Sequence, residues 1–348
     1  MKVGIILKSD MDQWFDSLKK KGKVYGPKKK ESAFVFGPVC AFKEMSLLYI
    51  PTILPPKKYY LPPKEFLFKF KIKPYETAKA IDVFEEFILF GVHTCDIAGI
   101  QCMDVIFNEN PADPNYLNRK EKMTIVGIEC LDYCDSYATC ASVGTHAHKG
   151  GYDIMLTDLG ESYLMHINSQ KGECLVKGKK YIKELDVEAQ RKWDAVIEEK
   201  NKKFKNEFKG ELPEIANVFD EGFFSPLWED VGKRCVGCTN CTAVCPTCYC
   251  FDVVDDVSLN LNEGQRSRVW SYCQMDDFAR VATGEDFRPG RGARQRHRYF
   301  RKFKYSVLKY NKYFCTGCGR CTRTCMAKIS LKETVNGLLD EKRGSSKT

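Results

Sequence analysis

Two continuous apolar runs stand out along the chain. Phe87–His93 (FILFGVH) and Met123–Glu129 (MTIVGIE) are the length of strands buried on both faces. Between them a helix is expected from Ile97 to about Phe107. Ile97, Ile100, Val105 and Ile106 are among its apolar positions, and Asp96 is placed to cap it. Strand, helix and strand at this spacing make a βαβ unit, with parallel strands and a right-handed crossover. Val3–Leu7 and Phe34–Phe36 are shorter strand candidates. Asp12–Lys20 reads as a small helix with Trp14, Phe15 and Leu18 on one side. Tyr152–Leu159 and Ser162–Asn168 form a hairpin around Gly160-Glu161. Lys180–Lys209 reads as a charged helix, with Ala189, Trp193, Ile197, Phe204 and Phe208 near i,i+4 spacing. Pro51–Pro63 is expected to run extended. The stretch holding Asn110-Pro111 and Asp113-Pro114 is expected to be a loop, and Gly210–Pro226 a linker. The pattern gives an α/β domain with a mixed sheet over about 1–225. An α-rich, partly irregular domain follows over 226–348.

The chain has 348 residues, enough for two cores, and 43% of them are hydrophobic. No apolar run approaches the length of a membrane span. The start, MKVGIILKSD, has no apolar segment followed by a small-residue cleavage site. Eighteen cysteines in a chain this long do not read as a secreted disulfide scaffold. Reduced thiols that hold iron point instead to the reducing cytoplasm of an anaerobe.

Those cysteines carry the chemistry. Cys235, Cys238, Cys241 and Cys245, followed by Pro246, have the bacterial ferredoxin spacing C-x2-C-x2-C-x3-C-P. Cys315, Cys318, Cys321 and Cys325 repeat the spacing, with Met326 in place of the proline. One run alone is compatible with zinc; two at one spacing point to two [4Fe-4S] clusters. In such modules the fourth cysteine of each run serves the other cluster. The expected ligand sets are Cys235, Cys238, Cys241 and Cys325 for cluster 1, and Cys315, Cys318, Cys321 and Cys245 for cluster 2.

A third site is expected in the first domain. Cys95 follows the first buried strand and Cys130 follows the second. Parallel neighbours bring both to one sheet edge, where open α/β sheets place ligands. Cys134 and Cys140 follow on one loop. These four are the candidate ligands of a third [4Fe-4S] cluster; the alternative is that some are small buried hydrophobes. His93, His146 and His148 lie nearby in sequence and read as ordinary polar loop residues. Cys102, Cys40 and Cys174 read as packing. Cys248, Cys250 and Cys273 read as structural or sulfur-contacting, with a further cluster left open.

The net charge of +9 is concentrated. Arg288 to Lys312 holds ten Lys or Arg and no acid. The stretch reads as a solvated basic face beside anionic clusters. Docking of an acidic redox partner is an intermediate reading, and nucleic-acid binding is set behind both. No G-x-G-x-x-G follows a strand, and there is no P-loop and no nucleophile–base arrangement. A chain rich in clusters but without such a centre reads as a wire between other subunits. The competing reading is a reductase whose site at Cys95, Cys130, Cys134 and Cys140 reduces a small substrate.

At this point the sequence resembles the 4Fe-4S dicluster family that includes the β subunit of cytoplasmic sulfhydrogenases and the corresponding subunit of anaerobic sulfite reductase. The resemblance is carried by ILPPKKYYLPPKE, HTCD around Cys95, Asp113–Tyr116, IVGIEC at Cys130 and CASVG at Cys140. It continues through GYDIMLTDLG, CPTCYC, VWSYC at Cys273 and the paired runs. Family members often carry Cys-Phe-Cys where this chain has Ala138-Thr139-Cys140, and a proline where it has Met326. The resemblance implies an electron conduit. One partner would be an FAD and [2Fe-2S] diaphorase-like subunit that handles NAD(P)H. The other would be a terminal catalytic subunit such as a hydrogenase, a sulfite reductase or a heterodisulfide-reductase-like module. The basic stretch between the two runs and the absence of a long apolar run lead to the further expectation of no nucleic-acid partner and no membrane span.

Overall fold

A computed structural model describes residues 2–79 and 84–345. Among them the strands, in chain order, are β1 (Lys2–Leu7), β2 (Lys23–Lys30), β3 (Ala33–Pro38), β4 (Lys64–Lys71), β5 (Glu76–Lys79), β6 (Phe87–His93), β7 (Met123–Ile128), β8 (Ile154–Asp158), β9 (Ser162–Ile167), β10 (Ile182–Glu184), β11 (Phe251–Val257) and β12 (Glu263–Trp270). Eight build one mixed sheet in the order β10-β1-β9-β8-β7-β6-β2-β3. Its centre is parallel, β2 to β6 to β7 to β8, and its flanks are antiparallel.

The two apolar runs take the centre, as their lack of alternation requires. In β6 every residue after Phe87 is buried, and in β7 all but Thr124. The helix Thr94–Phe107 crosses between them. It begins directly after His93, earlier than expected, and Asp96 sits buried in its first turn with no capping role. Arg320 claims that carboxylate instead.

Four further expectations are corrected. Lys57–Tyr60 is a short helix that follows Pro56, a position where a missing N–H costs nothing. The loop with Asp113-Pro114 leads into the helix Pro114–Lys122, with Asp113 accepting from the Tyr116 N–H at 2.9 Å. The charged helix is shorter, Val187–Lys203, and Phe204 and Phe208 lie beyond it. The linker holds the amphipathic helix Leu212–Glu221, which buries Ile215, Ala216, Val218 and Phe219.

Residues 251–270 form an antiparallel hairpin, β11–β12, that joins β4 and β5 in a second sheet. Segments on both sides of residue 225 therefore share this sheet. Glu65 on β4 reinforces it, as it pairs with both Arg119 and Arg268 in the buried interior. One hydrophobic core lies on the large sheet around Trp14, Phe15, Phe90 and Leu156, and Phe314 joins it from the far end of the chain. A second core is helical, built from Phe219, Trp228, Phe300, Phe303 and Leu338. Phe219 and Phe303 stack at 5.3 Å between ring centroids. The cysteine loops lie between the two cores. No helix among the described residues is long and apolar enough to cross a membrane.

Candidate metal centres

The two ferredoxin runs fold alike. Each places a left-handed glycine two residues after its first cysteine, Gly237 and Gly317. Each then has a left-handed residue, Thr239 or Gly319, just before a single helical turn, Asn240–Ala243 or Arg320–Arg323. This turn sequence aims successive N–H groups into a concavity suited to an anion. The Asn240 side chain donates to the Thr324 carbonyl at 3.1 Å and ties the runs together.

Cys245, Cys315, Cys318 and Cys321 line one enclosed cavity, with Cys241 also on its wall. The fourth cysteine of the first run thus faces the second run. Cys235 packs with Cys325 around Val231 and Ile329. Gln295 Nε2 donates to Cys235 Sγ at 3.2 Å, and the Ile329 N–H donates to Cys325 Sγ at 3.3 Å.

The β6/β7 register pairs His93 with Ile128, so Cys95 and Cys130 both lie just past that sheet edge. Cys134 contacts Cys130, thiol to thiol, and lies 3.9 Å from His93 Nδ1. Thr94 Oγ1 lies 3.6 Å from Cys130 Sγ. The Cys134 thiol, donating to Cys130, holds Cys130 below the usual thiol range. Burial pushes Cys95 up and takes Cys140 up to about 12, with the charge of Cys130 adding to both. Ala138 is buried beside this loop, and the charges of Cys130, Cys95 and Cys140 all act on the Cys134 thiol. A cleft of about 820 Å³ opens on Cys130, Cys134 and His93, and His93 stacks on Tyr49 at 3.8 Å.

The loop of this set packs directly on the second run. The Thr139 N–H donates to the Gly317 carbonyl at 2.8 Å, and Thr145 Oγ1 donates to the Thr316 carbonyl at 2.7 Å. A Cβ on Gly317 would meet the Cys140 backbone at 2.5 Å, so only glycine fits. Gly99, on the crossover helix, lets that helix approach Pro246, whose Cβ would lie 2.8 Å from an added Cβ. Cys95 and Cys140 both feel the charge of Cys318, and Cys241 feels that of Cys321.

The basic stretch is corrected in part. Helix Arg291–Phe303 does not present a solvated face: Arg294, Arg298 and Lys302, at four-residue spacing, are buried. Arg298 bonds Gln295 Oε1 at 3.0 Å and lies over the Tyr299 ring; the charges of Cys241, Cys321 and Cys273 face it. Lys302 donates to Thr247 Oγ1 at 2.7 Å and faces Cys245, Cys248 and Cys315. Neither ion-pairs with a carboxylate among the described residues. Buried cations need an anion, and an iron–sulfur cluster held by thiolates is one. The spacing of Arg294, Arg298 and Lys302 in an acid-free stretch was the available signal for this helix face.

Among the described residues no three Cys, His, Asp or Glu side chains close on a single ion. Cys241, Cys245, Cys315, Cys318 and Cys321 surround a cavity rather than a point. The donor set is all sulfur, with inward N–H groups and nearby cations, and it fits iron–sulfur clusters. Of the remaining thiols, Cys102 is buried as expected, whereas Cys40 and Cys174 are exposed and do not pack. His148 bonds Tyr152 and lies 3.2 Å from Glu129, and His146 is set against Phe204 with its ring bonded to the Cys140 backbone.

Comparison with known proteins agrees with this chemistry. A family model described as a 4Fe-4S dicluster domain matches residues 234–329, which hold both runs. The chain is thus a 4Fe-4S dicluster protein. It belongs to the family of the sulfhydrogenase β subunit. It is 37% identical to sulfhydrogenase 2 subunit beta of Pyrococcus furiosus over 332 residues, 94% of this chain and 96% of that protein. No solved structure matches.

Proposed function

We propose that this chain is the iron–sulfur relay subunit of a multi-subunit oxidoreductase in the cytoplasm of an anaerobe. Residues 226–348 hold clusters 1 and 2 on the two sets given above, and Cys95, Cys130, Cys134 and Cys140 hold a third. The observation that carries this reading is the unbroken row of thiols. The third set meets the second run through Cys318, and the second run meets the first through Cys321 and Cys241. Bound clusters supply one-electron transfer. The chain's own residues fix the thiolates, surround them with N–H donors and place Arg298, Lys302 and Arg320 where they favour added negative charge.

Both ends of the row reach surface hollows. The cleft at Cys130 and Cys134 lies at one end. A groove of about 1340 Å³, lined by Phe224, Val236, Gly237 and Met275, lies at the other, beside the first run. These ends suit two redox partners, an FAD and [2Fe-2S] diaphorase-like subunit and a terminal catalytic subunit. The relative's name as a sulfhydrogenase subunit supports such an assembly.

The test is iron and acid-labile sulfide in anaerobically purified chain. The three sets together account for about 12 irons, and Cys95→Ser should remove about four of them. If Cys95→Ser removes none, the third set is not a cluster site. The cleft beside Cys130 and Cys134 favours a second reading, in which the chain reduces a small substrate there. Reduced viologen with sulfite, sulfur or a disulfide separates the two. Turnover by the chain alone would replace the relay reading.

A further inference from the structure

Three thiols remain outside these sets: Cys248, Cys250 and Cys273. The hairpin brings them together. Phe251 pairs with Trp270 at the base of β11–β12, and the Ser271 N–H donates to the Cys250 carbonyl at 3.0 Å. Cys248 and Cys250 therefore approach one end of that base from the Cys245-Pro246 turn, and Cys273 approaches from the other strand. The charge of Cys273 is felt at both Cys248 and Cys250.

A buried cation marks the same place. Lys57 is only 2% exposed. Its ammonium donates to the carbonyls of Cys245 at 3.0 Å and Cys248 at 2.7 Å, and lies 4.2 Å from the Trp270 ring centroid. It forms no ion pair with a carboxylate among the described residues. The thiols of Cys248, Cys245 and Cys250 are the acidic groups that face this ammonium. A lysine held inside by two carbonyls and a ring face still lacks its anion.

We infer that Cys248, Cys250 and Cys273, with Lys57 as counter-cation, hold a further iron–sulfur cluster at the base of the β11–β12 hairpin. Three cysteines are the full ligand set of a [3Fe-4S] cluster, or leave one iron of a cubane to an exogenous ligand. Ligation forms three iron–thiolate bonds and releases the three thiol protons to water; iron and inorganic sulfide come from outside the chain. The inference does not rest on the third set, because the two share no ligand.

The test compares iron and sulfide in the anaerobic full-length chain with those in Cys250→Ser/Cys273→Ser and in Cys95→Ser/Cys130→Ser. The first variant should lose about three to four irons with matching sulfide. Loss of less than one iron overturns the inference, whatever the second variant does. Unchanged iron in the second variant removes the third set and leaves this site standing. Alkylation of the wild-type chain decides the matter independently of how the variant folds. Cys250, which is partly accessible, should resist iodoacetamide until iron is chelated and react afterwards. Reaction before chelation, or none after it, overturns the site.

Discussion

Arg320 and Arg298 are both buried guanidinium groups beside cluster thiols, and they are neutralised in different ways. Arg320 forms a two-pronged pair with Asp96, at 2.6 and 2.8 Å, and donates to the Thr52 carbonyl at 2.6 Å. Its charge is balanced by the protein itself. Arg298 has an amide and a ring, and the anions facing it are cysteines. Lys302 and Lys57 are in the same position. Arg320 thus belongs to the fold whether or not iron is present, and it fastens the second run to the crossover helix of the large sheet. Arg298, Lys302 and Lys57 depend on the clusters. The junction between the halves carries its own charge balance, whereas the C-terminal interior holds buried cations faced by thiols.

The largest effect expected from this contrast is that of metal removal. Chelation would leave Arg298, Lys302 and Lys57 without anions, at about 3–5 kcal/mol for each uncompensated charge before the structure relaxes. Anaerobic thermal unfolding followed by circular dichroism should show helix Arg291–Phe303 and its neighbours melting early, while the large sheet survives. A single transition common to both halves would erase the distinction. Asp96→Asn comes next. It converts Arg320 to the unpaired type and should cost about 3–5 kcal/mol in denaturant unfolding, with iron present or absent. A cost seen only in the metal-free chain would mean that the clusters, rather than Asp96, balance Arg320.

Gly317→Ala tests the junction by packing rather than charge. Its φ of +61° and the 2.5 Å approach to Cys140 leave no room for a methyl group. A loss of about 1–3 kcal/mol is expected, together with weaker coupling between the third set and cluster 2 in paired EPR signals. Unaltered coupling would mean that the Cys140 loop is held by contacts other than the second run.

How much of this is legible in the sequence differs along the same line. The apolar runs at Phe87–His93 and Met123–Ile128 announce buried parallel strands, and the cysteine spacing announces the clusters. Both signals are local. Asp96 reads as a cap because capping is a local rule, whereas its partner Arg320 lies 224 residues away. The helix Pro114–Lys122 is legible in Asp113-Pro114, a cap followed by proline at the first helical position, but two prolines close together read as loop. The β11–β12 hairpin is hidden because β11 is exposed along its whole length and so has no apolar alternation. The burial of Arg298 and Lys302 does not follow from charge, because composition says basic and solvated. Only their four-residue spacing in an acid-free stretch hints otherwise.

Lys302→Met should have the smallest effect on stability and the clearest sign. In the holoprotein the ammonium favours whichever cluster state carries more negative charge, which is the reduced one. Removing it should make reduction harder. At an effective dielectric of about 20 and a separation of roughly 8–12 Å, the lost attraction is about 1–2 kcal/mol, or about 40–90 mV for one electron. Protein-film voltammetry should show the cluster nearest Cys245 and Cys315 shifted negative by that amount, with the other waves moved less. In the metal-free chain the same substitution should be neutral or stabilising, since it removes a buried charge that burial disfavours. The two signs are opposite, and that opposition separates a cation that serves the cluster from one that serves the fold. A potential unmoved by Lys302→Met, with equal destabilisation in both forms, would place Lys302 with Arg320 and leave Arg298 and Lys57 to account for the anionic interior.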